Sequence, residues 1–135
     1  MAISTICEQW APRALSVLRI MSALLLLQHG LSKFFGYPVP WPPGGGPPAL
    51  FALYWWAGGL EIVGGILLLL GLFTRPVAFI LSGEMAFAYF MGHAPQSFYP
   101  QVNRGEAAVL FCFVFFYLAF AGAGPWSLDA LRGRK

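Results

Sequence analysis

Residues 49–72, ALFALYWWAGGLEIVGGILLLLGL, decide the class of the fold. These 24 consecutive residues contain a single charged side chain, Glu61, and no proline. A helix that crosses a bilayer needs about 20 mostly apolar residues at a rise of about 1.5 Å per residue. We therefore predict a membrane-spanning helix over about 48–72.

Similar apolar stretches lie on both sides of this one. Pro12 and Pro76 stand at the start of two of them, where a proline fits the first helical turn. Only residues 73–75 separate the second stretch from the third, so the helices they form should be antiparallel neighbours. We predict one transmembrane domain, residues 1–135, folded as an all-α integral membrane four-helix bundle. The other three predicted spans cover about 13–35, 76–93 and 104–121.

The composition agrees with a membrane protein. The chain has 135 residues, of which 59% are hydrophobic and 10% are charged. A soluble domain is about 25% charged, and a small soluble globule cannot hide this much apolar surface. A soluble enzyme, a disordered segment and a nucleic-acid-binding protein are therefore disfavoured, and the partner that the composition predicts is the lipid bilayer.

Basic residues near the helix ends indicate the orientation, because cytoplasmic loops carry an excess of Lys and Arg. With four spans, both chain ends and the short middle turn lie on one side. We therefore expect cytoplasmic termini, with the proline- and glycine-rich loop after the first helix and the loop at 94–103 outside. The side with the chain ends carries Arg13, Arg75, Arg132, Arg134 and Lys135, against Lys33 and Arg104 opposite.

Ionisable residues inside the predicted spans are the candidate functional residues. Each costs about 2.5 to 3.5 kcal/mol near the centre of a spanning helix, so these side chains should face one another and not lipid. From their depths along the helices, we predict that Arg19 pairs with Glu61, Glu84 or both. Lys33 is predicted to pair with Glu106, just below Asn103. The polar core predicted in this way comprises Arg19, His29, Lys33, Glu61, Glu84, Asn103 and Glu106.

Small residues beside Glu61 predict that it lies at a seam between helices. Gly58, Gly64 and Gly65 share its helix face, and small residues let helices approach closely in lipid. The predicted core contains three glutamates but only two fixed cations. Either His29 is protonated, Arg104 reaches in, or one glutamate is neutral, and our hypothesis is that Glu61 or Glu84 holds the proton.

Cysteine and histidine patterns predict neither a disulfide nor a metal site. Cys7 and Cys112 belong to no CxxC or Cys/His cluster, and they fall too far apart to bridge. Two histidines at different depths do not supply the ligand set of a structural metal site. Haem ligation by His29 or His93 stays open, although no motif supports it, and no covalently bound cofactor is implied.

Six short motifs follow one another along the chain: His29-Gly30-x-x-Lys33, Glu61-x-x-Gly64-Gly65, Leu70-Gly71-Leu72-x-Thr74-Arg75, Met85-x-x-Ala88, Asn103-x-Gly105-Glu106 and Gly124-Pro125-Trp126-Ser127-Leu128-Asp129. In order and spacing, these motifs resemble the DoxX family of small bacterial membrane proteins. The resemblance implies a four-helix, multi-pass protein of the bacterial inner membrane. Some relatives are thought to be membrane subunits of thiosulfate:quinone oxidoreductase or membrane partners in complexes that handle thiols.

The resemblance and the polar core together suggest a membrane subunit of an oxidoreductase system, linked to quinone or to thiol and sulfur chemistry. No catalytic residue is assigned, and a redox partner protein would have to carry the electrons. Tyr54, Trp55 and Trp56 suit either an interfacial aromatic belt or the wall of a quinone pocket near the outer side. One alternative is a carrier or channel for a proton or small solute, which would need a homo-oligomer. Another is a structural assembly module without a ligand.

Overall fold

The computed structural model describes residues 2–133, and within that range the chain is all-helical, without a β-strand. A π-helical turn, Tyr89–His93, continues the third helix without a break. Of the basic residues that the sequence assigns to the cytoplasmic side, Arg134 and Lys135 lie outside the described range. The helices are α1 (Ile3–Phe35), α2 (Leu53–Leu70), α3 (Thr74–Ala88), α4 (Pro100–Asn103), α5 (Glu106–Ala121) and α6 (Leu128–Leu131).

Two of the described helices are long and apolar enough to cross a membrane. These are α1, with 33 residues, and α2, with 18, while α5 is a shorter apolar helix. Large apolar side chains such as Phe79 and Phe113 are exposed along α3 and α5. An exposed apolar surface of this kind suits contact with lipid.

The helix ends differ from the predicted ones where the backbone leaves the right-handed region. Helix α1 begins at Ile3, so Pro12 lies inside it and not in its first turn. Helix α2 begins at Leu53 and not near residue 48, because Phe51 has a φ of 62°. Arg104, with a φ of 60°, likewise separates α4 from α5. A residue at positive φ cannot continue a right-handed helix.

A carboxylate from the far end of the chain caps α3. Asp129 accepts hydrogen bonds from the backbone amides of Phe73, at 3.0 Å, and Thr74, at 2.9 Å. These amides lack partners within the helix, which explains why α3 begins ahead of Pro76. Burial raises the pKa of Asp129, but these hydrogen bonds and the nearby Arg132 outweigh it, and the pKa lies below its usual value.

The long helices pack in sequence order. Helix α1 packs mainly on α2 and α3 mainly on α5, while α2 and α3 contact each other and α1 touches α5 little. The buried core, to which all four contribute, consists of Ala23, Leu26, Leu68, Ala78, Leu81, Met85, Phe115 and Leu118.

Glycines make the close approach of the helices possible. A Cβ atom on Gly30 would lie 2.7 Å from Ile62 Cγ1 and 3.1 Å from the Gly58 carbonyl oxygen. On the other side of α2, a Cβ on Gly64 would lie 2.9 Å from Leu81 Cδ1. The prediction that the glycines around Glu61 mark a helix seam is confirmed, and α2 has one such seam on each side.

We expect Gly30→Ala to destabilise the protein by about 1–3 kcal/mol, because the methyl group meets backbone atoms that cannot move aside. Gly59→Ala is the matched control, since a Cβ there has nothing within 4 Å. Alanine is also the better helix former by about 0.8–1.0 kcal/mol, so the control should be neutral or stabilising. Thermal unfolding in detergent measures both variants, and equal midpoints would contradict the close-packed α1–α2 seam.

Candidate functional site

A buried ion pair joins α1 to α2. The Lys33 ammonium donates to both carboxylate oxygens of Glu61, at 2.9 Å to Oε1 and 2.7 Å to Oε2. The two side chains are only 10% and 6% exposed. Gly58 brings the helices this close, because a Cβ there would lie 3.4 Å from Lys33 Cβ. The pair is therefore built into the α1–α2 seam.

The predicted pairing of Lys33 with Glu106 is wrong. Glu106 is exposed in the first turn of α5. The two residues were matched by depth alone, but α1 packs on α2 and touches α5 little. Lys33 pairs with a residue of the helix that packs against α1, and its depth in the membrane alone does not identify that residue.

Glu84 occupies the other seam of α2. Leu81 of α3 packs against Gly64 of α2, and the two helices are antiparallel. Glu84 lies about one turn after Leu81, and Glu61 lies about one turn before Gly64, so the two carboxyls are at the same level. The Glu84 carboxyl lies within range of the charges of Glu61 and Lys33. Both of its oxygens are buried, and the described part of the chain offers them no hydrogen-bond partner. Three helices thus bring an ion pair and a second buried carboxyl together.

His29 lies one turn before Lys33 on α1, at the boundary with α5. Its ring meets Phe111 edge-on, with 5.8 Å between ring centroids. The residue is exposed overall, since α1 and α5 touch little here. His29 therefore flanks the ion pair without bonding to it.

Arg19 takes no part in this cluster, so the prediction that it pairs with Glu61 or Glu84 is wrong. The side chain is fully buried, and its guanidinium donates only to backbone carbonyls. Two of these belong to the last turn of α2, where carbonyls begin to run out of helical donors, and two to the segment after α5. The bonds run from Nε to Ala123 at 2.9 Å, from Nη1 to Leu68 at 2.5 Å and Leu69 at 2.8 Å, and from Nη2 to Trp126 at 2.5 Å.

Asn103 also lies outside the cluster and organises the loop before α5. Its side-chain amide donates to the Ser97 carbonyl at 2.6 Å and to the Tyr89 hydroxyl at 3.2 Å, and its Oδ1 accepts from the Gly105 amide at 2.8 Å. Its carbonyl meets His93 Nδ1 at 2.9 Å. Tyr89 opens the π-helical turn, and nothing in the sequence pattern indicated this role.

An apolar cavity of about 500 Å³ opens beside the ion pair. Lys33 contributes the charged group to its lining, and its ammonium also lies 5.9 Å from the centroid of the Tyr54 ring. Of the predicted wall, Tyr54 lines the cavity, whereas Trp55 packs on Phe51 and Trp56 is largely exposed. The lining comprises Lys33, Trp41, Pro42, Gly45, Gly46, Pro48, Ala49, Ala52, Leu53 and Tyr54.

The loop after α1 supplies seven of the ten residues that line this cavity, and sequence reasoning named none of them as part of the site. Trp41 stands among prolines and glycines, and a large aromatic residue inside such a loop was the available signal. Gly45 and Gly46 also border a second, smaller cavity of about 190 Å³, which Lys33 lines as well. Lys33 therefore lies beneath the loop and lines both cavities.

A comparison with known families identifies the chain. A family model described as DoxX matches residues 14–94, a stretch that includes His29, Lys33, Glu61 and Glu84. The chain belongs to the DoxX family. The resemblance that the motifs indicated is confirmed, and this DoxX chain is a membrane protein by its family and its relatives.

Relatives extend over nearly the whole chain. An uncharacterised protein of Haemophilus influenzae is 45% identical over 128 residues, which cover 90% of this chain and 92% of the relative. An uncharacterised membrane protein of Mycobacterium tuberculosis is 30% identical over 140 residues, which cover 92% and 84%. No solved structure matches the DoxX chain significantly.

The cluster in this DoxX protein consists of a hydrogen-bond donor, the ammonium of Lys33, and the carboxyls of Glu61 and Glu84. Within residues 2–133, no group of three or more His, Cys, Asp or Glu side chains could hold a metal ion. Cys7 and Cys112 are both free. What the site offers a ligand is an ammonium donor beside an apolar cavity, with two buried carboxyls behind it.

Proposed function

We propose that this DoxX protein is a membrane subunit of an oxidoreductase system and that its cavity binds a quinone headgroup. The observation that carries the proposal is the Lys33 ammonium, which borders an apolar cavity of about 500 Å³. The proposed setting is a four-helix bundle in the bacterial inner membrane with cytoplasmic termini. The cavity then lies near the outer side.

The cavity suits the two parts of a quinone. A quinone ring is flat and apolar, and Trp41 and Tyr54 offer aromatic surface to stack against it. Its carbonyl oxygens are acceptors, and the ammonium of Lys33 has three donors, of which two go to Glu61. In this proposal the third donor goes to the ligand. Ligand pockets typically measure about 300–1,000 Å³ and combine apolar walls with few polar groups, as this one does.

A redox partner protein completes the proposed system. Reduction of a quinone takes two electrons and two protons, and the cluster of Lys33, Glu61 and Glu84 is built to handle protons. The partner supplies the electrons, and this chain supplies the ligand site.

Binding of a short-chain quinone analogue to the purified protein in nanodiscs tests the proposal. We expect saturable binding by calorimetry, weakened about three- to tenfold in Trp41→Ala, in keeping with the contribution of about 0.5–1.5 kcal/mol from an aromatic pair. Trp10→Ala is the matched control, because Trp10 is an exposed residue near the start of α1. Absence of binding, or equal affinities in the two variants, would overturn the proposal.

A carrier or channel for protons is the second candidate, favoured by the buried Glu84 carboxyl. Ionisable residues inside membrane helices often mark ion pathways. Proteoliposomes loaded with a pH-sensitive dye distinguish the two candidates. A wild-type proton flux that Glu61→Gln abolishes would favour the carrier, whereas quinone binding without flux favours the redox subunit.

A further inference from the structure

Glu84 has the least explained environment among the described side chains. Both of its carboxylate oxygens are buried and without a hydrogen-bond partner in residues 2–133. A buried carboxylate without donors or a counter-charge is very costly, and such a group takes up a proton instead. A proton held on Glu84 is therefore a candidate for use in the reaction of the site.

The charges around Glu84 support a neutral carboxyl. Glu61 lies at the same level on α2, and Lys33 on α1 is already bonded to both oxygens of Glu61. This pair sums to zero charge, so an ionised Glu84 would leave one negative charge uncompensated. His29 lies one turn from Lys33, and from α5 Cys112 contacts Ser82 near Glu84. Neither brings a permanent positive charge.

The arrangement also forms a path. The cavity meets Lys33, Lys33 is bonded to Glu61, and Glu61 lies level with Glu84 across the α2–α3 seam. We propose that Glu84 is the proton store of this site: it holds one proton at rest and yields it, through Glu61 and Lys33, to an oxygen of the bound quinone when that quinone is reduced. This inference rests on the proposed function.

The proton transfer balances with electrons from the redox partner protein. An N–H bond of Lys33 breaks as an O–H bond forms on the reduced quinone oxygen. The Glu84 carboxyl then turns toward Glu61, its O–H bond breaks, and the proton passes through Glu61 to restore the Lys33 ammonium. Glu84 ends as a carboxylate and is reprotonated before the next cycle. The second proton of the quinol comes from outside this cluster.

Infrared spectroscopy of the ligand-free protein in nanodiscs tests whether Glu84 is protonated at rest. We expect the wild type to show the C=O stretching band of a protonated carboxyl at neutral pH. Glu84→Gln should lose this band, whereas Glu106→Gln should keep it, because Glu106 is exposed on α5. A wild type without the band, or a Glu84→Gln variant that keeps it, would overturn the inference even if quinone binds.

The transfer itself is tested with a short-chain quinone analogue bound and then reduced by dithionite. The band should disappear in the wild type as a carboxylate band grows, whereas Glu84→Gln, measured with the analogue bound at saturation, should show neither change. A band that survives reduction would overturn the transfer and leave quinone binding standing. No binding of the analogue at all would overturn the proposed function, and the transfer with it.

Discussion

Lys33→Met is expected to destabilise the protein by about 3–5 kcal/mol, and Glu61→Met by a similar amount, because either change leaves the other charge buried without its partner. The side chains are 10% and 6% exposed, so water cannot replace the lost contact. The double variant Lys33→Met/Glu61→Met should recover most of the loss, since apolar residues of similar volume often replace a buried ion pair at little cost.

Unfolding in mixed detergent micelles measures the four proteins of this double-mutant cycle. The variant Glu106→Gln serves as the control, because an exposed carboxylate should change stability by no more than about 0.5 kcal/mol. If the two single losses simply add in the double variant, Lys33 and Glu61 do not form the pair that joins α1 to α2.

Arg19→Met is expected to cost at least about 3 kcal/mol. The change removes the donor shared by the carbonyls of Leu69, Ala123 and Trp126, and each unsatisfied buried acceptor costs about 1–3 kcal/mol. The Leu68 carbonyl also loses Arg19 but keeps its hydrogen bond from the Gly71 amide. Arg19→Lys should recover only part of the loss, because an ammonium cannot span acceptors that a planar guanidinium reaches.

The same unfolding assay measures these variants, together with protease sensitivity of the segment after α5. That segment should become cleavable in Arg19→Met, because Arg19 ties it to α2. Arg13→Met is the control on the same helix. Its guanidinium lies over the exposed Trp10 ring, a contact worth about 0.5–1 kcal/mol. A stability of Arg19→Met equal to that of Arg13→Met would contradict this role.

The contrast between Arg19 and Lys33 shows how far depth along a helix can predict partners. Both were expected to bond to carboxylates. Lys33 does so, although with Glu61 and not Glu106, whereas Arg19 bonds to the last backbone carbonyls of α2. Depth gives the level of a side chain but not which helix faces it. Depth also leaves out backbone acceptors, which compete with carboxylates wherever a helix ends inside the protein.

The loop side of the cavity and the cap on α3 were beyond sequence reasoning for a related reason. Trp41 reaches the cavity through the fold of a loop without a repeating pattern, and Asp129 caps Phe73 and Thr74 from a distant part of the chain. Glu84, in contrast, was named from the sequence, because a carboxyl in an apolar helix cannot be left facing lipid.

By itself, the sequence determined that this is a helical membrane protein with Lys33, Glu61 and Glu84 turned away from lipid, because the bilayer penalises every exposed charge regardless of the detailed fold. It also located the seams of α2, since only glycine permits such close contact between helices. The tertiary structure alone decided the partners: Glu61 for Lys33, backbone carbonyls for Arg19, and no hydrogen-bonding group in the described chain for Glu84. Partner choice depends on which helices adjoin, and packing across the whole chain sets that order.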